Sequence, residues 1–267
     1  MSESVAPLPV ALQTLPDDFE QHEQVAAALR CVRALCPDPS EMRIVDLGCL
    51  EGHFTEGFAR LGFREALGIE VRAVNFAKCI ERRTRAGLSN LQFAKDNAWN
   101  LANYGRFDVV FCAGLLYHIE RPRAFIDLVA AHTRRAAIFN THFAVPGAPN
   151  RTDLSELTVN EGLPGRWFVE PADIHSEVDN WSAWGVNRAF WIRREHLIQT
   201  IRDAGFPMVF EQFDLHGPEL AHSLTEGYYA SECRGIFVGV KDLPPLSFRD
   251  AARALARRFI RRVRRAL

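Results

Sequence analysis

The sequence predicts an α/β fold with a doubly wound, mostly parallel sheet of seven strands, an antiparallel hairpin at its edge and an aromatic-rich insertion. Short apolar runs alternate with helical patterns between residues 41 and 142, which is typical of βαβ units. After residue 142 the alternation stops, and four of the five tryptophans fall between residues 167 and 191. Two later apolar runs have no helix between them, which indicates an antiparallel pair of strands.

The first part of the chain, residues 1–40, is interpreted as an arm followed by a helix. Residues 1–16 are rich in proline and predict irregular structure. Apolar side chains then recur with helical spacing from Asp17 to Leu35. The prolines at positions 37 and 39 supply the stop signal for this helix.

Residues 41–142 carry the alternating pattern and are predicted to form the ligand-binding core. The strands predicted here are Arg43–Leu47, Ala66–Val71, Leu91–Ala94, Phe107–Ala113 and Ala136–Thr141. The helices predicted between them are Phe54–Leu61, Ala73–Ala86 and Arg123–Thr133. Strands of a parallel sheet are covered on both faces, so continuous apolar runs of this kind favour a parallel core.

The later part of the chain divides into an insertion and the end of the sheet. Residues 143–191 contain many turn-forming residues, and their aromatic content argues against disorder, so we expect a functional lid. Residues 192–243 are predicted to complete the sheet. They contain a helical pattern at Ile192–Ala204 and strand patterns at Met208–Phe213 and Gly235–Val240.

Residues 244–267 predict a basic amphipathic helix. From Leu246 onward there are eight arginines and one aspartate, so this tail carries +7 and the rest of the chain, whose total is −1, carries −8. Such a helix can lie on an anionic membrane surface, bind nucleic acid or pack on its own domain. Peripheral contact with the inner membrane surface is one expectation. The acidic body disfavours a nucleic-acid partner, because phosphate contacts dominate such binding.

The six cysteines form no CxxC pair and no metal-ligand spacing with histidine. This pattern is typical of reduced thiols in the cytoplasm, which is where we expect the protein to act. No metal site is predicted from spacing.

One stretch, Ile44–Phe54, carries the strongest ligand-binding signal. It predicts a buried strand that ends in a glycine turn and passes into a helix. Open α/β sheets hold nucleotide-like ligands at turns of this kind. The dinucleotide fingerprint needs glycines at its first, third and sixth positions. Those positions hold Gly48, Leu50 and His53, so the dinucleotide interpretation fails. We interpret His53 as structural.

An acid two residues before the first glycine, Asp46, supports a different family. With this acid, the chain resembles the class I, Rossmann-like methyltransferases that depend on S-adenosylmethionine (SAM). The resemblance implies that a loop of five residues holds the amino-acid end of SAM. These residues are Asp46, Gly48, Cys49, Leu50 and Gly52. Leu50 departs from the pattern of the family, in which a glycine is usual at this position.

Three further segments match the resemblance. It implies that Glu70, with Val71, binds the ribose hydroxyls of SAM, since one carboxylate can accept from both. It implies that Asp96, with its neighbours, binds the adenine. It also implies that the segment after the fourth strand lines the methionine half of the cofactor. The remaining residues implied at these three places are Asn97, Ala98, Ala113 and Leu115.

The segment Leu115–His118, followed by Pro122, also resembles the tRNA wobble-uridine carboxymethyl transferases. Those enzymes use a carboxylated relative of SAM and need basic residues for its extra carboxylate. No such basic set is identifiable from the sequence. The likeness is therefore interpreted as kinship of fold.

Two histidines are candidate bases for taking a proton from a hydroxyl acceptor. His118 follows the fourth strand at the edge where the methyl group is expected, and His142 ends the fifth strand. An alternative is that two histidines and a carboxylate bind a divalent metal, although no spacing rule supports it. A histidine that only orients a loop is also compatible with the pattern.

The acceptor is expected to contact aromatic and polar residues of the insertion. The candidate substrate-binding residues are Tyr117, Arg166, Trp167 and Asn187, with Trp181, Trp184, Arg188 and Trp191 extending the same wall. Tryptophans that merely form a small core are the alternative. The favoured function is methyl transfer from SAM to a hydroxyl of a small polar acceptor, such as a sugar, a glycan-linked compound or a natural product. The alternatives are a tRNA-modifying enzyme and a non-catalytic SAM-binding protein.

Overall fold

A computed structural model describes residues 23–147, 153–179, 181–213, 220–225, 229 and 233–242. The helices are α1 Glu23–Leu35, α2 His53–Arg60, α3 Ala73–Ala86, α4 Pro122–His132, α5 Arg194–Asp203 and α6 Leu220–Thr225. The strands are β1 Arg43–Leu47, β2 Glu65–Glu70, β3 Leu91–Lys95, β4 Phe107–Ala113, β5 Thr133–His142, β6 Thr158–Asn160, β7 Leu163–Val169, β8 Arg188–Ile192, β9 Met208–Gln212 and β10 Arg234–Val240. 3₁₀ segments occupy Ala98–Tyr104, with a kink at Asn100, and Leu116–His118.

Seven strands form the main sheet in the order β3-β2-β1-β4-β5-β10-β9. The first five pair in parallel, and β10 is antiparallel to both β5 and β9. This arrangement confirms the predicted fold class and its edge hairpin. The chain runs outward from β1 to β3 and then returns to the other side of β1 at β4. Ligands of such sheets bind at this switch point, beyond the carboxyl ends of the strands.

Alternate residues of the central strands pack on opposite faces of the sheet. Ile44 belongs to the buried cluster that contains Leu29 of α1 and Phe58 of α2. Its neighbour Val45 belongs to the other cluster, with Phe125 and Ile126 of α4. Successive side chains of a strand point to opposite faces, so a continuous apolar run is required where helices cover both.

The insertion forms a second sheet of three antiparallel strands, β6-β7-β8. The sequence predicted loops here and missed these strands. β7 pairs with β8 across the intervening residues 170–187, whereas β6 and β7 form a local hairpin whose two-residue turn, Glu161 and Gly162, was not recognised from the sequence. The predicted helix start at Ile192 is also wrong, since Ile192 pairs with Gly165 in this sheet. A Cβ at Gly165 would lie 2.2 Å from the carbonyl oxygen of Trp191, so only glycine allows this close pairing.

Two predicted elements fall outside the described residues. These are the arm with the start of the first helix, at residues 1–22, and the basic helix at residues 244–267. None of the helices in the described part of the chain has the length and apolar character needed to span a bilayer.

Candidate functional site

A cavity of about 340 Å³ lies beyond the carboxyl ends of the parallel strands. Its volume is within the range that small-molecule sites occupy. Thirteen of the residues predicted from the sequence line it: Gly48, Leu50, Glu70, Val71, Asp96, Asn97, Ala98, Ala113, Leu115, Tyr117, His118, Trp181 and Trp184. The insertion contributes Trp181, Ser182, Ala183 and Trp184. The structure thus brings most of the predicted cofactor residues to one cavity, next to one wall of the insertion.

The glycine loop after β1 has a backbone that favours glycine at two of its positions. Gly48 has φ +69° and Gly52 has φ +80°. Leu50 is also in the left-handed region, at φ 50°, which costs a non-glycine residue on the order of 1 kcal/mol or more. Hydrogen bonds from the N–H of Leu50 and to its carbonyl offset this cost. Its N–H donates to Oε2 of Glu70 at 3.0 Å, and its carbonyl accepts from Sγ of Cys79 at 2.9 Å.

The other residues predicted in this loop support it from outside the cavity lining. Asp46 is buried and accepts a hydrogen bond from Oγ1 of Thr55 at 2.7 Å. Burial raises the pKa of Asp46 to about 7, although the Thr55 hydrogen bond acts in the opposite direction. Cys49 is buried, and a Cβ at Gly52 would lie 2.5 Å from the ring of Phe93. His53 lies 2.6 Å from a guanidinium nitrogen of Arg82, consistent with a structural role.

The raised pKa of Asp46 makes stability depend on pH in a defined direction. The pKa of the Asp46 carboxyl is near 3.9 in the unfolded chain and about 7 in the folded one. The stability contributed by the neutral carboxyl is therefore fully present below about pH 4 and is lost as the pH rises through 7. Asp46→Asn removes this titration and keeps an oxygen that can accept from Thr55. We expect the unfolding free energy of the variant, relative to that of the wild type, to increase by about 4 kcal/mol as the pH rises from about 4 to about 8. Urea denaturation at both pH values measures this, and a difference that does not change with pH would contradict it.

Glu70, at the end of β2, presents its carboxylate at the cavity wall. Its oxygens accept from the N–H of Leu50 at 3.0 Å and from the N–H of Arg72 at 2.8 Å. Burial raises the pKa of Glu70, and these backbone hydrogen bonds act in the opposite direction. Two backbone donors thus fix the orientation of this carboxylate while it remains part of the cavity lining.

Asp96, beyond β3, is held as an anion. Its carboxylate accepts from Nδ2 of Asn100 at 2.6 Å, from the hydroxyl of Tyr104 at 2.9 Å and from the N–H of Asn97 at 2.7 Å. The Asn100 hydrogen bond is the main reason that the pKa of Asp96 is lowered. Ionised carboxylates can only accept, so this residue offers acceptor sites at its end of the cavity.

His118 forms a buried pair with a residue that the sequence did not single out. Its Nδ1 lies 2.6 Å from Oε1 of Glu170, whose side chain is 1% exposed. The N–H of Ala183 donates to the other oxygen, Oε2, at 2.9 Å. A carboxylate cannot donate, so Nδ1 carries the proton of this hydrogen bond and Nε2 is the ring nitrogen left to accept one. The arrangement orients an imidazole at the cavity wall.

Arg72 connects the cofactor side of the cavity to the insertion. Its Nε donates to the carbonyl of Ser176 at 2.9 Å, and its Nη2 donates to the carbonyl of Ser182 at 2.7 Å. Its guanidinium lies 5.5 Å from the ring centroid of Trp184. Because the backbone N–H of Arg72 also binds Glu70, one residue fixes both a cofactor-side carboxylate and the wall formed by the insertion.

The other predicted catalytic and substrate residues lie away from this cavity lining. His142 is buried and stacks on Trp191, with ring centroids 4.6 Å apart and an interplanar angle of 12°. Arg166 is 2% exposed and donates to the carbonyls of Ser155 and Gly147, so it holds the insertion together. Trp167 packs edge-on against Phe190. The backbone carbonyl of Asn187 accepts from the N–H of Glu170, which supports the His118–Glu170 pair.

No group of three or more His, Cys, Asp or Glu side chains converges as a metal site among the residues that the structure describes. The alternative of two histidines and a carboxylate around a metal therefore gains no geometric support from these residues. The imidazoles of His118 and His142 instead each contact the ring of Tyr117, with centroid distances of 4.3 and 4.6 Å.

Gly48 allows a direct test of the loop. A methyl group at Gly48 would meet Leu115 only at 3.5 Å, an ordinary contact, so Gly48→Ala adds bulk mainly to the cavity wall and strain at a positive φ. Gly87 has a similar φ of +63°, and a methyl group added there would have no atom within 4 Å, so Gly87→Ala serves as the matched control. We expect both variants to lose similar stability, about 1–2 kcal/mol. Only Gly48→Ala is expected to lose ligand affinity.

Ligand affinity in both variants is measured by calorimetric titration with S-adenosylhomocysteine (SAH), the demethylated product of SAM. The added methyl group is expected to cost Gly48→Ala about 1–3 kcal/mol of binding free energy by overpacking. Equal SAH affinity in the two variants would show that Gly48 does not contact the ligand.

Comparison with known proteins gives a family match over most of the chain. Residues 19–210 match the model of a family described as a methyltransferase domain. The chain is 26% identical over 162 residues to the mitochondrial ubiquinone biosynthesis O-methyltransferase of Dictyostelium discoideum. That match covers 52% of this chain and 49% of the relative, so the chain spans about half the length of this curated relative.

Two solved structures share the fold. The N-terminal domain of EvdMO1, crystallised in the presence of SAH and D-fucose, is 24% identical, with a TM-score of 0.63 and coverage of 82% of this chain and 83% of that one. The magnesium protoporphyrin IX methyltransferase of Synechocystis PCC 6803, with bound SAM, is 15% identical, with a TM-score of 0.52 and coverage of 89% and 86%. At these identities the likeness shows the fold alone.

Proposed function

The chain belongs to the methyltransferase-domain family, which confirms its resemblance to class I SAM-dependent methyltransferases, and on this basis we propose that it methylates a hydroxyl of a small polar acceptor. Sugars, glycan-linked compounds and natural products are the acceptor classes we favour. The observation that carries the proposal is one cavity whose wall contains both the carboxylates suited to SAM and the oriented imidazole of His118.

The residues around the cavity fit SAM in their chemistry. Glu70 offers a fixed carboxylate for the two ribose hydroxyls, and Asp96 offers acceptor oxygens for an exocyclic amino group. The left-handed backbone at position 48 favours glycine, and because Gly48 has no side chain, this part of the wall is open to a ligand. When bound, SAM would supply a methyl group activated for transfer by the positively charged sulfur that carries it. The residues on this wall would position that group.

His118 is the group we assign to proton removal. Its Nε2 accepts the proton of the acceptor hydroxyl as the oxygen becomes a nucleophile. Glu170 stabilises the imidazolium that results and holds the ring in the tautomer with Nδ1 protonated. Ala183 fixes Glu170 in turn through its N–H. Glu170 is therefore a positioning residue, while His118 is the catalytic one.

The acceptor wall we assign to residues 181–184 of the insertion. Trp181 and Trp184 line the cavity, and Trp181 is 76% exposed. Exposed indoles beside polar groups suit the faces of ring-shaped polar molecules. The lid function proposed for residues 143–191 rests on this placement and on the hydrogen bonds from Arg72. The crystallisation of EvdMO1 in the presence of D-fucose supports a sugar among the candidate acceptors.

The proposal is tested by incubating the protein with SAM carrying a radioactive methyl group and a cell extract separated into small-molecule and RNA fractions. We expect label to enter the small-molecule fraction and to depend on His118. Label confined to RNA would support the tRNA-modifying alternative. Binding of SAM without transfer to any fraction would support a non-catalytic protein.

A further inference from the structure

Arg234 places a guanidinium at the end of the cavity opposite the cofactor carboxylates. It is the first residue of β10 and pairs in register with His142, so it lies at the same sheet edge as the carboxyl ends of the parallel strands. Its Nε donates to Oδ1 of Asn140 at 2.7 Å, and both residues line the cavity. Its Cζ lies 5.3 Å from the ring centroid of Tyr117, the neighbour of His118.

The charge of Arg234 has no carboxylate partner among the described residues, where every ion pair involves other side chains. Glu70 ends β2, and four strand spacings along the sheet separate β2 from β10. That separation is about 19 Å, too far for an ion pair. The second guanidinium of the lining, Arg72, is engaged with the carbonyls of Ser176 and Ser182. Arg234 is therefore the cation at this end of the cavity that is available to a ligand.

The backbone beside Arg234 is held in an unusual conformation. Cys233 has φ 49°, in the left-handed region, and its carbonyl accepts from the N–H of Phe143 at 2.8 Å. Non-glycine residues in this region are enriched at ligand sites, where the surrounding structure holds them. The hydrogen bond to Asn140 orients the guanidinium of Arg234, which follows Cys233 in the chain.

We propose that Arg234 binds an oxyanion of the acceptor, so that the substrate is a hydroxyl compound that also carries a carboxylate or a phosphate group. This inference rests on the proposed function. A guanidinium can donate two parallel hydrogen bonds to either oxyanion. The sulfonium of SAM adds a second positive charge to the same cavity, which favours an anionic acceptor. It disfavours binding of a protonated amine through like-charge repulsion.

The test uses the full chain saturated with SAH and four probes of similar size: benzoate, phenyl phosphate, benzyl alcohol and phenol. We expect both anions to bind to the wild type at least about tenfold more tightly than the neutral probes, since charge-assisted hydrogen bonds are the strong ones. Arg234→Gln is expected to remove this preference and Arg234→Lys to retain part of it. Arg202→Gln, an exposed arginine on α5, serves as the control that keeps the full preference. The relative affinities of benzoate and phenyl phosphate show whether Arg234 binds a carboxylate or a phosphate group better.

Equal binding of charged and neutral probes to the wild type would overturn the inference, as would failure of both anions to bind at millimolar concentration. A preference that persists in Arg234→Gln would also overturn it. Loss of SAH affinity in Arg234→Gln and Arg234→Lys, with the circular dichroism spectrum unchanged, would assign the guanidinium to the cofactor instead. Absence of SAH binding by the wild type would defeat the proposed function itself, so the two failures are distinguishable.

Discussion

His118→Asn is expected to lower kcat for methyl transfer by about 10²- to 10⁴-fold while SAH affinity stays unchanged. The imidazole is the group that we assign to removal of the acceptor proton, and asparagine cannot accept that proton near neutral pH. The carboxylates of Glu70 and Asp96 are held by other residues, so replacing His118 leaves them in place. Steady-state kinetics with methyl-labelled SAM and the acceptor measure kcat, and calorimetry with SAH measures the affinity separately.

Two further variants test whether the loss of activity depends on the imidazole of His118 itself. Glu170→Gln is expected to lower kcat by a smaller factor, without a change in SAH affinity, because it disturbs the orientation of the imidazole and leaves the ring in place. His222→Asn, at an exposed position on α6, is the control and is expected to keep full activity. If His118→Asn retained wild-type kcat, proton removal would belong to another group and the assigned base would be wrong.

Glu70→Gln is expected to weaken SAH binding by roughly tenfold to a hundredfold, because hydrogen bonds to a charged acceptor contribute about 1.5–3 kcal/mol. The variant loses the negative charge proposed to bind the ribose hydroxyls and places an amide donor near the backbone N–H groups of Leu50 and Arg72. Calorimetric titration with SAH measures the loss.

Glu65→Gln is the matched control for this prediction. Glu65 lies at the other end of β2, outside the cavity lining, and forms a partly buried ion pair with Arg43 at 2.7 Å. We expect it to keep wild-type SAH affinity. Equal affinities in Glu65→Gln and Glu70→Gln would remove Glu70 from the cofactor site.

The core of the fold could be predicted because its signals are local. The apolar run of β1, the acid at Asp46 and the two glycines of the loop lie within nine residues of one another. Parallel strands bring their carboxyl ends to one edge, so strand-end residues such as Glu70 and Asp96 could be placed together without any knowledge of side-chain contacts. Their presence in one cavity lining follows from topology alone.

The acceptor side could not be predicted in the same way because it depends on pairing between distant segments. Glu170 meets His118 only because the insertion folds into its own sheet and turns back toward the 3₁₀ segment at Leu116–His118. Nothing local marks that carboxylate as buried. Arg234 carried a usable signal, since a charge at the first position of an apolar antiparallel strand lies at the edge where the parallel strands end.

Arg166 and Trp167 illustrate the opposite error. Their residue types suit a polar ring, and they were predicted to contact the acceptor. In the structure Arg166 satisfies backbone carbonyls inside the insertion, and Trp167 packs against Phe190. Residue type indicates what a side chain can bind, whereas the register of β7 against β8 decides which face of the small sheet it occupies.

The cavity beyond β1, β2 and β4 is assigned to SAM and not to a dinucleotide. Calorimetric titration of the wild-type chain with SAH, and separately with NAD⁺, tests this assignment without any substitution. We expect one SAH to bind per chain and NAD⁺ to give no measurable heat at the same concentrations. Binding of NAD⁺, or absence of SAH binding, would contradict the assignment.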